Sequence, residues 1–168
     1  MMKKRMQQTL VAFAIVACGV SAAGLAVADA LARVTGLKTP ESAVAGFDGR
    51  IYVSEINEFG KDGDGQISVI DKGGKVNVFA TGMNDPKGLA MIGKDLYVAD
   101  KVRILKVMPD GKWQVFVAVD AFPVTPQFLN DLESDGQGNL YVSDSGDLKK
   151  GGAIYRISKV GKVTLITD

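Results

Sequence analysis

One phrase occurs three times in the chain, and it limits the fold more than any other feature. Asp48-Gly49-Arg50-Ile51-Tyr52-Val53-Ser54-Glu55 returns as Gly93-Lys94-Asp95-Leu96-Tyr97-Val98-Ala99-Asp100. It returns again as Gly138-Asn139-Leu140-Tyr141-Val142-Ser143-Asp144, so that Tyr52, Tyr97 and Tyr141 stand 45 and 44 residues apart. Each copy is a glycine-bearing turn followed by a strand-prone aromatic and β-branched run that ends on an acid. Self-similarity at a period of 20–50 residues marks an array of small structural units.

Four strand candidates recur in each unit. In the first they lie near 42–45, 51–55, 66–70 and 75–80; in the second near 88–92, 95–100, 102–108 and 112–117; in the third near 131–134, 139–143, 153–158 and 162–167. The turn before each last strand repeats as well: Lys72-Gly73-Gly74-Lys75, Pro109-Asp110-Gly111-Lys112 and Lys159-Val160-Gly161-Lys162. No segment after Glu41 keeps a helical period. The expected fold is all-β, a partial β-propeller of three four-stranded blades at about 41–80, 86–117 and 130–167. A single sandwich of some twelve strands is the competing fold, and it gives no reason for the threefold phrase. Propellers close with four to eight blades, so three are expected to be half of a six-bladed ring. A longer chain would complete that ring, and so would self-association of two copies.

Residues 1–28 read as a secretory signal peptide. Lys3, Lys4 and Arg5 precede an apolar run over Leu10–Val20, and Ala26-Val27-Ala28 supplies a small-x-small cleavage site. Two other readings of this stretch stand: an uncleaved anchor helix over 10–28, and a lipobox at Ile15-Val16-Ala17-Cys18 that would lipidate Cys18. Residues 29–40 form a lead-in, and the propeller spans 41–168. The expected location is the periplasm or the medium. Cys18 is the single cysteine, so the folded part needs no disulfide.

Residues 1–28 hold three basic side chains and no acidic one. Without them, 17 Lys+Arg face 19 Asp+Glu. A near-neutral surface with no basic run argues against nucleic acid and against electrostatic attachment to anionic lipid. The sequence contains no histidine, so no nucleophile–histidine–acid set exists, and it has neither a phosphate-cradling glycine loop nor a zinc cysteine cluster.

Aligning the units on their tyrosines places Glu41 and Asn130 at the same point, each eleven residues before its tyrosine. The matching place in the middle unit is Pro86 or Lys87. This point opens the innermost strand of a blade, the strand that lines the central channel. Oxygen-bearing side chains at one level of a ring can converge on a hard cation such as Ca²⁺, which takes six to eight oxygens. Asn130 also fits as an ordinary turn residue bonding nearby backbone. Lys61-Asp62-Gly63-Asp64-Gly65-Gln66 has part of a calcium-loop pattern, but it lacks the remaining ligands and suits a solvated hairpin loop better. Phe122–Phe128 is either a pocket rim or a linker, the loop 144–152 either overhangs the channel mouth or is a solvated turn, and Trp113 is expected in blade packing.

Pro40-Glu41-Ser42-Ala43-Val44 with Phe47–Ser54, and Leu129-Asn130-Asp131-Leu132 with Asp135–Asp144, resemble the first and third blades of the gluconolactonase/regucalcin-like family. The resemblance covers residues 40–168. It implies a six-bladed propeller and one divalent metal, often Ca²⁺, held in the channel by a glutamate, two asparagines and an aspartate. It further implies hydrolysis of small esters or lactones. By that resemblance Glu41 and Asn130 are metal ligands and Asp131 is a positioning group, with the remaining ligands in later blades. The chain departs from the family at Glu41-Ser42-Ala43, where the family usually has Glu-Gly-Pro or Glu-x-Pro. The alternative function is a non-catalytic propeller of the NHL type that binds a protein or glycan.

Overall fold

The structure is a computed structural model that describes residues 33–168. The expected signal peptide, Cys18 and the first residues of the lead-in lie outside the described residues. Among those described, no helix is long and apolar enough to cross a membrane.

Three separate four-stranded sheets follow one another. The first holds β1 (Pro40–Ala45), β2 (Ile51–Glu55), β3 (Gly65–Ile70) and β4 (Val76–Met83). The second holds β5 (Pro86–Ile92), β6 (Asp95–Asp100), β7 (Arg103–Val107) and β8 (Trp113–Val117), and the third holds β9 (Leu129–Ser134), β10 (Leu140–Asp144), β11 (Ala153–Ile157) and β12 (Val163–Thr167). Strand order in space is strand order in sequence, every pair is antiparallel, and the described residues contain one 3-10 turn, Val119–Ala121. These are three blades of a propeller and not the two facing layers of a sandwich.

The repeated turns work through their acids. Asp71 Oδ1 accepts from the amides of Gly73 (2.9 Å) and Lys75 (3.0 Å), and Asp135 Oδ1 accepts from Gln137 and Asn139 (both 2.8 Å). An aspartate that bonds the backbone two and four residues on folds the chain back without help from the rest of the molecule. The register of these two hairpins is therefore set locally.

The blades pack face to face through two apolar clusters. Tyr52, Ile67, Val69, Leu96, Val98 and Leu105 fill the first, between the first and second sheets. Tyr97, Ala99, Ile104, Leu140, Val142 and Tyr155 fill the second, between the second and third. Residues of β6 alternate between them, because successive strand side chains face opposite sides. That alternation explains why Leu96-Tyr97-Val98-Ala99 is apolar throughout. Tyr52 stacks edge-on against Phe79 at 5.0 Å and Tyr97 against Phe116 at 5.1 Å, whereas Tyr141 is 38% exposed. No further sheet of the described residues covers it. β5 packs against β1 on one side and β9 on the other, so the first strands of the three blades stand side by side.

Candidate functional site

The same irregularity breaks the ladder between the first two strands of every blade. Pro40 pairs with Glu55 and Ala43 with Val53, which leaves Glu41 and Ser42 opposite Ser54 alone. Pro86 pairs with Asp100 and Leu89 with Val98, leaving Lys87 and Gly88 opposite Ala99. Leu129 pairs with Asp144 and Leu132 with Val142, leaving Asn130 and Asp131 opposite Ser143. Two residues against one is a β-bulge, a device that re-aims side chains. Glu41, Lys87 and Asn130 are thus equivalent, the second residue of each first strand. The structure assigns the middle position to Lys87 rather than Pro86.

Serine hydroxyls hold two of the bulges open. Ser54 Oγ accepts from the Ser42 amide and Ser143 Oγ from the Asp131 amide, both at 3.0 Å. The middle blade has Ala99 in that place and closes its bulge against its neighbour instead. A Cβ on Gly88 would lie 2.5 Å from the Asn130 carbonyl oxygen, so β5 and β9 touch backbone to backbone beside the site. Only glycine permits that approach.

The acid that ends each repeated phrase anchors the chain leading into the site. Asp100, fully buried, accepts from the amides of Asn84 (2.8 Å) and Asp85 (2.9 Å) and from Arg103 Nε (2.9 Å). Asp144 accepts from the amides of Gln127 (3.0 Å) and Phe128 (2.7 Å). Glu55 accepts from the Lys38 amide, and also from Gln66 Nε2 (3.0 Å) and Ser68 Oγ. Lys38, Asn84 and Gln127 each stand three residues before Glu41, Lys87 and Asn130. Charge-assisted bonds to backbone amides are short and strong, and here one acid per blade fixes where the site residue begins. The sequence shows these acids as part of a repeated phrase but does not show what they hold.

Three charged side chains at this level, Glu41, Lys87 and Asp131, are linked through Glu41. Glu41 is an exposed residue whose carboxyl is only partly desolvated; that desolvation lifts it above its ordinary value, the Asp131 carboxylate lifts it further, and the Lys87 ammonium draws it back. Lys87 is 2% exposed; its Nζ donates to the Asp85 carbonyl at 3.2 Å and stands 4.3 Å from the centre of the Phe128 ring. Burial lowers the proton affinity of Lys87, while Asp85, Glu41 and Asp100 raise it. Asn130 commits Nδ2 to Ser145 Oγ at 3.2 Å, so the amide oxygen is the atom it has to offer a cation.

A groove of about 630 Å³ runs along the first strands, with Ser42, Leu89, Met91, Asp131, Glu133 and Ser143 among its walls. Asp131 lines it; Glu41 and Asn130 are not among its lining residues. The oxygen chemistry suits a hard cation, since a positive ion would relieve the Glu41–Asp131 repulsion. Three such groups fall short of a full shell, and no cluster of three His, Cys, Asp or Glu occurs among the described residues.

The other stretches singled out in the sequence have structural roles here. Residues 61–64 belong to the loop 56–64 between β2 and β3, in which the buried oxygens Asn57 Oδ1 and Asp64 Oδ1 lack hydrogen-bond partners. Trp113 Nε1 donates to the Thr81 carbonyl at 2.8 Å and so ties the second blade to the first. Phe122 packs edge-on against Tyr155 at 5.0 Å, and Phe128 lies beneath Lys87, which leaves neither as a free rim aromatic. In the loop 144–152, Asp147 Oδ1 accepts from the amides of Lys149 (2.9 Å) and Lys150 (2.7 Å), closing a turn.

No protein-family profile matches the chain. A stretch of 63 residues, 36% of this chain and 16% of the relative, is 43% identical to the strictosidine synthase-like protein 3 of Arabidopsis thaliana. Among solved structures, the calcium-binding protein regucalcin of Agrobacterium tumefaciens superposes with a TM-score of 0.60 at 20% identity, over 76% of this chain and 44% of its own. A gluconolactonase of Xanthomonas campestris superposes with a TM-score of 0.60 at 18% identity, over 79% of this chain and 48% of its own. The chain shares the propeller fold of these proteins and spans less than half the length of each.

Proposed function

We propose that the channel wall built by Glu41, Asn130 and Asp131 serves a metal-dependent hydrolase of the lactonase type, exported by way of residues 1–28, that acts on small esters or lactones. One observation carries this reading. Two first strands whose key residues lie 89 positions apart in sequence hold Glu41 and Asn130 at the same register position, and the Asp131 carboxylate next to Asn130 acts on the Glu41 carboxyl, on a fold shared with a gluconolactonase.

Glu41 and Asn130 are the groups that would hold a divalent ion, in keeping with the calcium-binding regucalcin of the same fold. A bound divalent ion supplies Lewis acidity toward the substrate carbonyl oxygen. Asp131, exposed on the groove wall, accepts hydrogen bonds from a substrate hydroxyl or a water and so orients it. Leu89 and Met91 offer an apolar surface to the carbon skeleton of a small ester. The bulges keep the backbone behind these groups fixed, so the site is organised before a ligand arrives.

The test is calorimetric titration of the full chain with Ca²⁺, run beside pH-stat assays on a panel of γ- and δ-lactones. Glu41→Gln and Asn130→Ala are each expected to weaken Ca²⁺ binding by at least about tenfold and to slow lactone hydrolysis in parallel, as losses at a metal's supporting shell do. Variants that bind and hydrolyse like the native chain would overturn the reading. A native chain that hydrolyses none of the lactones yet binds a protein or glycan would favour the non-catalytic NHL-type propeller.

A further inference from the structure

Two of the three equivalent positions carry oxygen, and the third carries an ammonium group. Lys87 belongs to the ring level of Glu41 and Asn130 by register, yet it turns its charge inward. It is 2% exposed, and it is held there by a rigid chain of contacts. Asp100 Oδ1 fixes the Asp85 amide at 2.9 Å, the Asp85 carbonyl takes Lys87 Nζ at 3.2 Å, and the Phe128 ring faces the ammonium at 4.3 Å. Phe128 is fixed in turn by Asp144, which accepts from its amide at 2.7 Å. Two of the three acids that end the repeated phrase, Asp100 and Asp144, thus hold the cradle of one lysine.

A covered ammonium on the strand next to that of Glu41, at the same register position, does part of what a bound metal ion would do. It offsets one of the two negative charges of the Glu41–Asp131 pair, and because it is buried it is screened less than a surface lysine. Like charges near a protein surface repel strongly enough that one fixed cation weakens the binding of another by an order of magnitude or more.

We propose that Lys87 is the built-in counter-cation of this wall: it occupies the ring position between Glu41 and Asn130 and holds the wall's affinity for divalent cations low. The proposal rests on the reading that Glu41 and Asn130 face one ion. Lys87 here is neither a ligand nor a catalytic residue, and its effect is exerted through charge.

The experiment titrates Ca²⁺ into the native chain, Lys87→Gln, Lys87→Met and Lys87→Arg by calorimetry at fixed pH and ionic strength, with circular dichroism to confirm folding. Gln removes the charge and keeps an N–H for the Asp85 carbonyl, so it carries the comparison if Met folds poorly. Lys87→Gln and Lys87→Met are expected to bind at least about tenfold more tightly than the native chain, and Lys87→Arg to bind like it. Adding Glu41→Gln to either neutral variant should abolish the gain. Folded neutral variants that bind no more tightly than the native chain overturn the proposal. If Glu41→Gln still weakens binding in the native chain, the metal-site reading survives that failure. If Glu41→Gln and Asn130→Ala change nothing in any background, both fall together.

Discussion

Ionised Glu41 is held in the folded chain against the preference of its surroundings. Desolvation, and after it the Asp131 carboxylate, raise its pKa above the ordinary 4.5. The folded state therefore binds this proton more tightly than the unfolded state does. The stabilisation is complete below the ordinary pKa and is lost as pH rises through the raised folded value. At pH 7 the charge costs stability, although solvent screening keeps the cost under about 1 kcal/mol. Glu41→Gln in chelator-treated buffer is accordingly expected to raise the melting temperature at pH 7 by about 1–3 °C, and to lose that advantage near pH 4. Thermal melts at the two pH values check this; an equal shift at both would rule out the carboxylate charge as the cause.

At the scale of elements, the bulges and the acids behind them decide where the site lies. Asp100 combines two backbone amides with an ion pair to Arg103 Nη2 at 2.7 Å, in a place without solvent access. Asp100→Ala would leave those amides unpaired and the guanidinium without its partner. The expected loss is about 3–5 kcal/mol, read by urea unfolding. Asp110→Ala, in an exposed turn, should leave the urea midpoint close to that of the native chain. A loss at Asp100 no larger than that at Asp110 would show that the anchor does not matter. The repeating strands were legible in the sequence because tyrosines, turn glycines and alternating apolar residues are local signals. Lys87 was only half legible. Seven residues separate the ladder partners Val44 and Tyr52, and seven separate Glu133 and Tyr141, but six separate Ala90 and Tyr97. That one missing residue lies in the hairpin loop, so counting back from Tyr97 falls on Pro86, and only the pairing restores Lys87. Neither the duty of Asp100 and Asp144 nor the cover over Lys87 had a local signal, because both depend on contacts between segments distant in sequence.

Across the whole molecule, stability resides in the two joints between blades. The first cluster contains residues of the first two sheets and the second cluster residues of the last two, together with Phe122 of the linker. The second sheet belongs to both and divides its residues by strand parity: Leu96, Val98 and Leu105 go to one joint, Tyr97, Ala99 and Ile104 to the other. Arrays whose units contact only their neighbours have stabilities that approach a sum of units and interfaces. The clusters should therefore respond independently to small changes. Ile67→Val in the first and Ile157→Val in the second, both fully buried, should each cost about 0.5–1.5 kcal/mol. Their double variant should cost the sum to within about 0.5 kcal/mol by urea unfolding. Val98→Ala and Leu105→Ala are a different case, since these residues are cross-strand partners within one joint. One cavity shared between them makes the second truncation differ from the first, and their double variant should depart from additivity by at least about 0.5 kcal/mol. Equal coupling in the two double variants would mean that the sheets share one continuous core and that the blades do not act as separable units.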